Sequence, residues 1–166
     1  MLLPGIPAWI DQDIVLYHGT TDTSVADILN AVDPTKGSYR KDFGRGFYTT
    51  TRLDKALDWA NVKSQMTGDS AAVVEFTVTR NDLALLEGLF FVRGDSRAAD
   101  YWSFVQYCRT TIGDHNRSHS PWYDWVAGPV TGTWKRQTII PDVDQISFHT
   151  SASASVLDRS GKVRVV

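Results

Sequence analysis

Two short segments of the 166-residue sequence combine rings, hydroxyls and glycines in a way that suits ligand chemistry. They are Tyr17-His18-Gly19-Thr20 and Asp42-Phe43-Gly44-Arg45-Gly46-Phe47-Tyr48-Thr49-Thr50. In the first, an apolar run ends on an imidazole beside Gly19, where the missing side chain lets a ligand approach the backbone. Thr20 adds a hydroxyl. In the second, two glycines two positions apart permit a tight turn. The segment is not a Walker loop, because Gly-Lys-Ser/Thr is missing. Nor is it a dinucleotide fingerprint, since it precedes a strand rather than opening a helix. Tyr48 starts that strand, and Trp59 follows eleven positions later. A strand, a short turn and a helix can bring the two rings to opposite walls of a slot for a flat heteroaromatic. Taken singly, His18 also reads as a satisfied histidine before a turn, and Trp59 as helix-face core.

Other polar residues are less pointed. Lys36, Arg40, Lys41 and Arg45 form a basic cluster that suits either a solvated loop or phosphate contact. Arg45 and Lys55 could reach a pyrophosphate or lie on the surface. Asp42 could cap the glycine turn or touch ligand, and Asp124 could serve a structural turn or act as a helper acid. His115, His119 and His149 have no metal-ligand spacing with acids or with Cys108, so no metal is expected. Cys108 is the only cysteine, which rules out an intramolecular disulfide. It falls inside a helical pattern without an activating context, which argues against a cysteine protease.

The elements that must position these groups follow from periodicity. Ile14–Tyr17 reads as a strand, and Val25, Ile28, Leu29 and Val32 mark a helix after N-cap candidates at 21–24. Residues 35–46 read as a loop and Phe47–Thr51 as a strand. Leu53, Ala56, Leu57 and Ala60 predict a helix over 52–66. Ala71–Thr79 reads as a strand, and Leu83–Val92 as a strand broken near Gly88. A helix is expected over 96–111, then a polar loop at His115–Ser120. Trp122–Val130, Gln137–Ile140, Ile146–His149 and Val163–Val166 read as strands, with a short helix at Ser151–Leu157. Interleaved helices and antiparallel strands make the class α+β.

Length predicts a single domain over 1–166, with an N-terminal arm at 1–12 carrying Pro4 and Pro7. Hydrophobic residues at 42% and charged residues at 22% match an ordered globular chain. The net charge of −2 gives no overall field for nucleic acid or an anionic membrane. Neither a basic n-region nor a membrane-length apolar run is seen. A cytoplasmic protein, or one delivered into a target cell, is the expectation, with no membrane partner.

The ordered set of motifs resembles the His-Tyr-Glu class of ADP-ribosyltransferases, which contains the poly(ADP-ribose) polymerases and diphtheria toxin. It is similar in particular to a poorly characterised bacterial family of that superfamily. The shared features are Leu16-Tyr17-His18-Gly19 and the Asp42–Tyr48 segment, then Trp102, Phe104 and Val105. Tyr123-Asp124-Trp125-Val126-Ala127-Gly128-Pro129-Val130 and Asp144-Gln145-Ile146-Ser147-Phe148 complete them. The resemblance covers roughly residues 14–158. It implies a split β-sandwich with an NAD cleft between two small sheets. His18, Tyr48 and Gln145 would be the catalytic set. His18 would meet the adenosine ribose, Gly19 the nicotinamide carboxamide, and Tyr48 and Trp59 the nicotinamide faces. Thr20, Arg45 and Phe47 complete the implied NAD-binding residues.

The resemblance further implies mono-ADP-ribosyl transfer by a bacterial toxin or effector. The acceptor would be a protein or nucleic acid, and a cognate antitoxin could exist. Gln145 stands where the class carries glutamate, and a neutral acceptor stabilises a developing cation less than a charged one. This disfavours chain elongation. Val143 stands where arginine-targeting toxins carry Gln or Glu, so arginine is not the favoured acceptor. NAD hydrolysis and a non-catalytic NAD- or ADP-ribose-binding module are the alternatives.

Overall fold

The structure is a computed structural model that describes residues 10–110 and 123–164. Residues 1–9 of the arm, the expected loop at His115–Ser120, Trp122 and the last two residues lie outside the described residues.

Among the described residues, seven strands form two sheets. The first has the order β1 (Ile14–Thr21), β3 (Ala71–Val78), β7 (Lys162–Arg164). The second has the order β2 (Phe47–Thr49), β6 (Thr138–Phe148), β5 (Trp125–Thr133), β4 (Gly88–Phe90). Every neighbouring pair is antiparallel except β4 and β5. A parallel pair needs a long crossover, usually helical, and the connection from β4 to β5 carries α4 (Ala99–Thr110). The remaining helices are α1 (Asp22–Asn30), α2 (Leu53–Thr67), α3 (Arg80–Ala84) and α5 (Ser151–Asp158). The class is α+β with two mostly antiparallel sheets, as the interleaved periodicities predict.

Strand alternation sorts the side chains into layers. Leu16, Val74 and Phe76 of the first sheet meet Phe47, Ile146 and Phe148 of the second in one buried cluster, closed by Ala154, Val156 and Leu157 of α5. On the outer face of the first sheet, Val73 packs under Ala56 and Ala60 of α2. On the outer face of the second, Phe91 and Val126 pack under Tyr101, Trp102 and Val105 of α4. Each helix thus covers one outer sheet face, and the two inner faces cover each other.

The boundaries differ from the expectation at several points. β1 runs on to Thr21, so His18 and Gly19 lie inside a strand rather than at its end. Arg80–Ala84 is a helix capped by the Thr79 side chain, and only Gly88–Phe90 of the expected 83–92 strand is extended. The two expected strands 137–140 and 146–149 are one element, β6. Its register against β5 shifts near Pro129 and Thr131, and Asp142 has φ 57°. Such irregularities hide a long strand from a period-two search.

Candidate functional site

Among the described residues, β1 and β2 meet at one antiparallel pair. Tyr17 and Thr50 exchange backbone hydrogen bonds of 2.8 and 3.0 Å. Beyond it the strands part. β1 continues along β3, with His18 opposite Val74 and Gly19 opposite Val73. β2 continues along β6. Backbone groups alternate sides along a strand. Gly19, two residues from Tyr17, therefore turns its N–H and C=O into the parting, and Tyr48 does the same from β2.

His18 spans this parting. Its Nδ1 donates to the Tyr48 carbonyl at 2.6 Å. Its ring stacks on Phe47 with centroids 4.1 Å apart and 23° between planes. A carbonyl can only accept, so the bond places the proton on Nδ1 and leaves Nε2 as an acceptor. Burial, then the charge of Lys63, push the imidazole down to about 3, against the raising effect of the Tyr48 bond. The ring is neutral near neutral pH.

α2 crosses directly over Gly19. A Cβ there would stand 2.0 Å from the Ala56 carbonyl oxygen and 2.9 Å from the Ala60 nitrogen. The missing side chain therefore serves helix packing, and only the backbone edge of Gly19 is left for a ligand. Lys63 Nζ donates to the Gly19 carbonyl at 2.6 Å. Burial, and then the charge of Lys41, push this ammonium down from its ordinary value. Trp59 lies half-buried one turn before Lys63, on the same flank of α2. Thr20, Thr21 and Ser24 face Lys63, Met66 and Thr67 around a pocket of about 260 Å³. Lys55 pairs instead with Asp58 at 3.0 Å.

The glycine turn is pinned from several sides. Gly44 takes φ 83°, in the left-handed region that glycine tolerates. The Tyr48 hydroxyl accepts from the Phe43 N–H at 3.0 Å and donates to the Gly44 carbonyl at 2.7 Å. Burial is the main cause that raises this phenol well above its ordinary range. His149 Nδ1 reaches the Arg45 carbonyl at 2.7 Å, and its Nε2 meets Ser147 Oγ at 2.7 Å. Ser147 is fully buried, so the Ser–His pair braces the turn and faces no substrate. Arg45 donates to the Tyr39 hydroxyl at 3.1 Å and sits 5.0 Å from the centre of that ring. The Tyr48 ring meets His149 edge-on at 6.4 Å, and the ring contacts among the described residues do not join it to Trp59. Walls of a slot for a flat ring would stand about 7–8 Å apart, twice a van der Waals contact.

Gln145 sits in a different setting. It is buried opposite Gly128, and its Nε2 donates to Asp42 Oδ2 at 2.8 Å and to the Pro129 carbonyl at 3.0 Å. Asp42 is itself buried. It accepts from Arg109 Nε at 2.8 Å, from the Thr131 N–H at 2.9 Å and from Thr131 Oγ1 at 2.5 Å. Register puts Gln145, Ser147 and Tyr48 on the sheet face under α4. Phe47, against which His18 stacks, lies on the opposite face. The structure thus groups His18, Gly19, Thr20 and Phe47 at the parting, with Trp59 on the adjoining flank of α2. Gln145 lies on the sheet face that it shares with Tyr48, with Asp42 as its partner. Gln145 also borders a second pocket of about 410 Å³, whose lining includes Phe90, Ile140, Arg52, Arg80 and Arg93.

The family model described as "Protein of unknown function (DUF3990)" matches residues 14–139, more than half of the chain. The chain belongs to the DUF3990 family. The matched span of this DUF3990 protein holds His18, Gly19, Asp42, Tyr48, Trp59 and Arg109, and it ends before Gln145. No curated protein matches the chain, and no solved structure matches it.

Four residues of the DUF3990 chain matter more than the sequence suggested. Lys63 could have been found as the residue four beyond Trp59 on one helix face. Arg109 and Asp42 are 67 positions apart, so nothing local announced their ion pair. His149 was visible only as a histidine without metal spacing. Among the described residues, no group of three or more His, Cys, Asp or Glu side chains could hold a metal ion. No helix among them is long and apolar enough to cross a membrane.

Proposed function

We propose that the chain binds NAD at the parting of β1 and β2 and acts as a mono-ADP-ribosyltransferase, a bacterial toxin or effector. The observation that carries this reading is the Gly19 N–H and C=O turned into the parting beside neutral His18, the carbonyl keeping a second lone pair beside the one that takes Lys63 Nζ at 2.6 Å. A primary carboxamide offers one donor and one acceptor, which complement one C=O and one N–H. His18 Nε2 can accept a ribose hydroxyl. Trp59 offers a face for the nicotinamide ring, and Lys63 and Lys41 offer charge for the pyrophosphate. In the reaction the ribose C1′–nicotinamide bond breaks and its electron pair leaves with nicotinamide. A nucleophile of a protein or nucleic acid then bonds to C1′ and loses its proton. A cognate antitoxin is a partner that this reading allows.

One observation favours a second reading, a non-catalytic NAD- or ADP-ribose-binding module. Gln145 is neutral, and both its amide hydrogens are engaged away from His18. Hydrolysis, with water as acceptor, is the third outcome. Incubation with labelled NAD and cell lysate separates them. Labelled macromolecule supports transfer, free ADP-ribose alone supports hydrolysis, and calorimetric binding without turnover supports the module. Absence of binding and of nicotinamide release would sink all three, and activity undiminished in Tyr48→Ala would remove Tyr48 from the site.

A further inference from the structure

We propose that Asp42 is a positioning residue that fixes the amide of Gln145, and that this pairing holds position 145 to a neutral donor while Asp42 is ionised. The functional half of this inference rests on the NAD reading; the structural half does not. Gln145 has two amide hydrogens. One goes to Asp42 Oδ2 at 2.8 Å and the other to the Pro129 carbonyl at 3.0 Å. Both acceptors are fixed. The Pro129 carbonyl also takes the Tyr101 hydroxyl at 3.0 Å. The Asp42 carboxylate is anchored on α4 through Arg109 and on β5 through Thr131. The amide therefore has one orientation, with Oε1 as the atom left over.

A glutamate at 145 would bring two acceptor oxygens to two acceptors, one of them a carboxylate. Buried like charges at this distance do not both ionise; one carboxyl keeps its proton at an elevated pH. The glutamate that the resemblance implies at this position would therefore work here only as a neutral acid, donating to Asp42 as the amide does. Arg109 offsets one of the two negative charges, but its Nε and Nη2 contact Oδ1, so the Oδ2 that Gln145 meets is left facing the new carboxyl.

The experiment follows thermal unfolding of the full chain from pH 5 to pH 8 for the parent, Gln145→Glu, and Gln145→Glu with Asp42→Asn. The single variant should lose about 5 °C or more across this range relative to the parent. The loss comes as pH rises, because the folded state holds the extra proton. The double variant should lose that pH dependence. If the single variant and the parent give parallel profiles, the inference is wrong. If neither variant folds, exchange of the Gln145 side-chain amide protons in the parent decides. Protection about 100-fold above exposed Gln65 supports the pairing, and exchange as fast as Gln65 overturns it. Nicotinamide release from NAD, read on the same proteins, should follow the same pH profile in Gln145→Glu and stay flat in the parent. Flat release from both overturns the functional half. A parent that neither binds nor cleaves NAD overturns the NAD reading and with it the functional half, while the unfolding result still judges the pairing.

Discussion

His18 and Tyr48 are joined across the parting of the two sheets: the imidazole Nδ1–H donates to the Tyr48 carbonyl at 2.6 Å. The bond replaces a rung that the β1–β2 ladder would otherwise have made. It fixes the tautomer of His18 and holds the Tyr48 carbonyl in one place. The same geometry keeps the ring uncharged, since burial and Lys63 both oppose protonation.

The first prediction is an acid-side loss of stability. The unfolded chain protonates His18 below about 6.5, while the folded ring resists until about 3. The unfolded state binds more protons between these values, so stability falls as pH drops through that window. Thermal midpoints at pH 7 and pH 4.5 should differ more for the parent than for His18→Gln. Equal differences would show that another group is linked to folding.

Lys63→Met keeps an apolar stem and removes the charge that helps to depress His18. The His18 pKa should rise from about 3, read from imidazole proton shifts across a pH titration. An unmoved titration would mean that Lys63 does not reside on the Gly19 carbonyl in solution.

Gly19→Ala would drive a methyl into the backbone of α2 at Ala56. Backbone cannot yield as a flexible side chain does, so we expect a loss of about 3 kcal/mol or more. Urea unfolding measures it. A variant within about 0.5 kcal/mol of the parent would mean that α2 shifts freely.

Tyr48→Phe keeps the ring and deletes the hydroxyl that serves the Phe43 N–H and the Gly44 carbonyl. The expected cost is about 1–3 kcal/mol, the range for partly buried groups left unpaired. Amide exchange should quicken at residues 43 and 44 while β6 stays protected. Unchanged exchange there would place the pinning of the turn elsewhere.

Trp59→Ala tests the proposed stacking wall. Trp59 is only half-buried, so the thermal midpoint should move little. NAD affinity should fall about tenfold or more, as for stacking contacts worth ~1–3 kcal/mol. Unchanged affinity would remove Trp59 from the site.

The sequence carried the helices whose apolar spacing is regular. α2 and α5 lie within a residue or so of their expected spans, because Ala56, Ala60 and Leu157 mark buried stripes. β3 was readable from its near-continuous apolar run, covered on both faces. Where the fold uses irregularity, the pattern was hidden. β6 carries Pro141 and a left-handed Asp142, which split its signal in two. At the candidate site, His18, Gly19 and Phe47 were legible because each belongs to a short motif, and Trp59 through its spacing from Tyr48. The Asp42 hub was not, since its partners come from α4, β5 and β6, and only the tertiary fold assembles them.

The turn at 42–46 is held by the Tyr48 hydroxyl, by His149 and by the buried Asp42 carboxylate. A molecule arriving there meets a segment already ordered, so little conformational entropy is lost in shaping it. Discrimination between ligands at that turn would then come from fit to a rigid template, and a poorly matched ligand could not recover affinity by remoulding the loop.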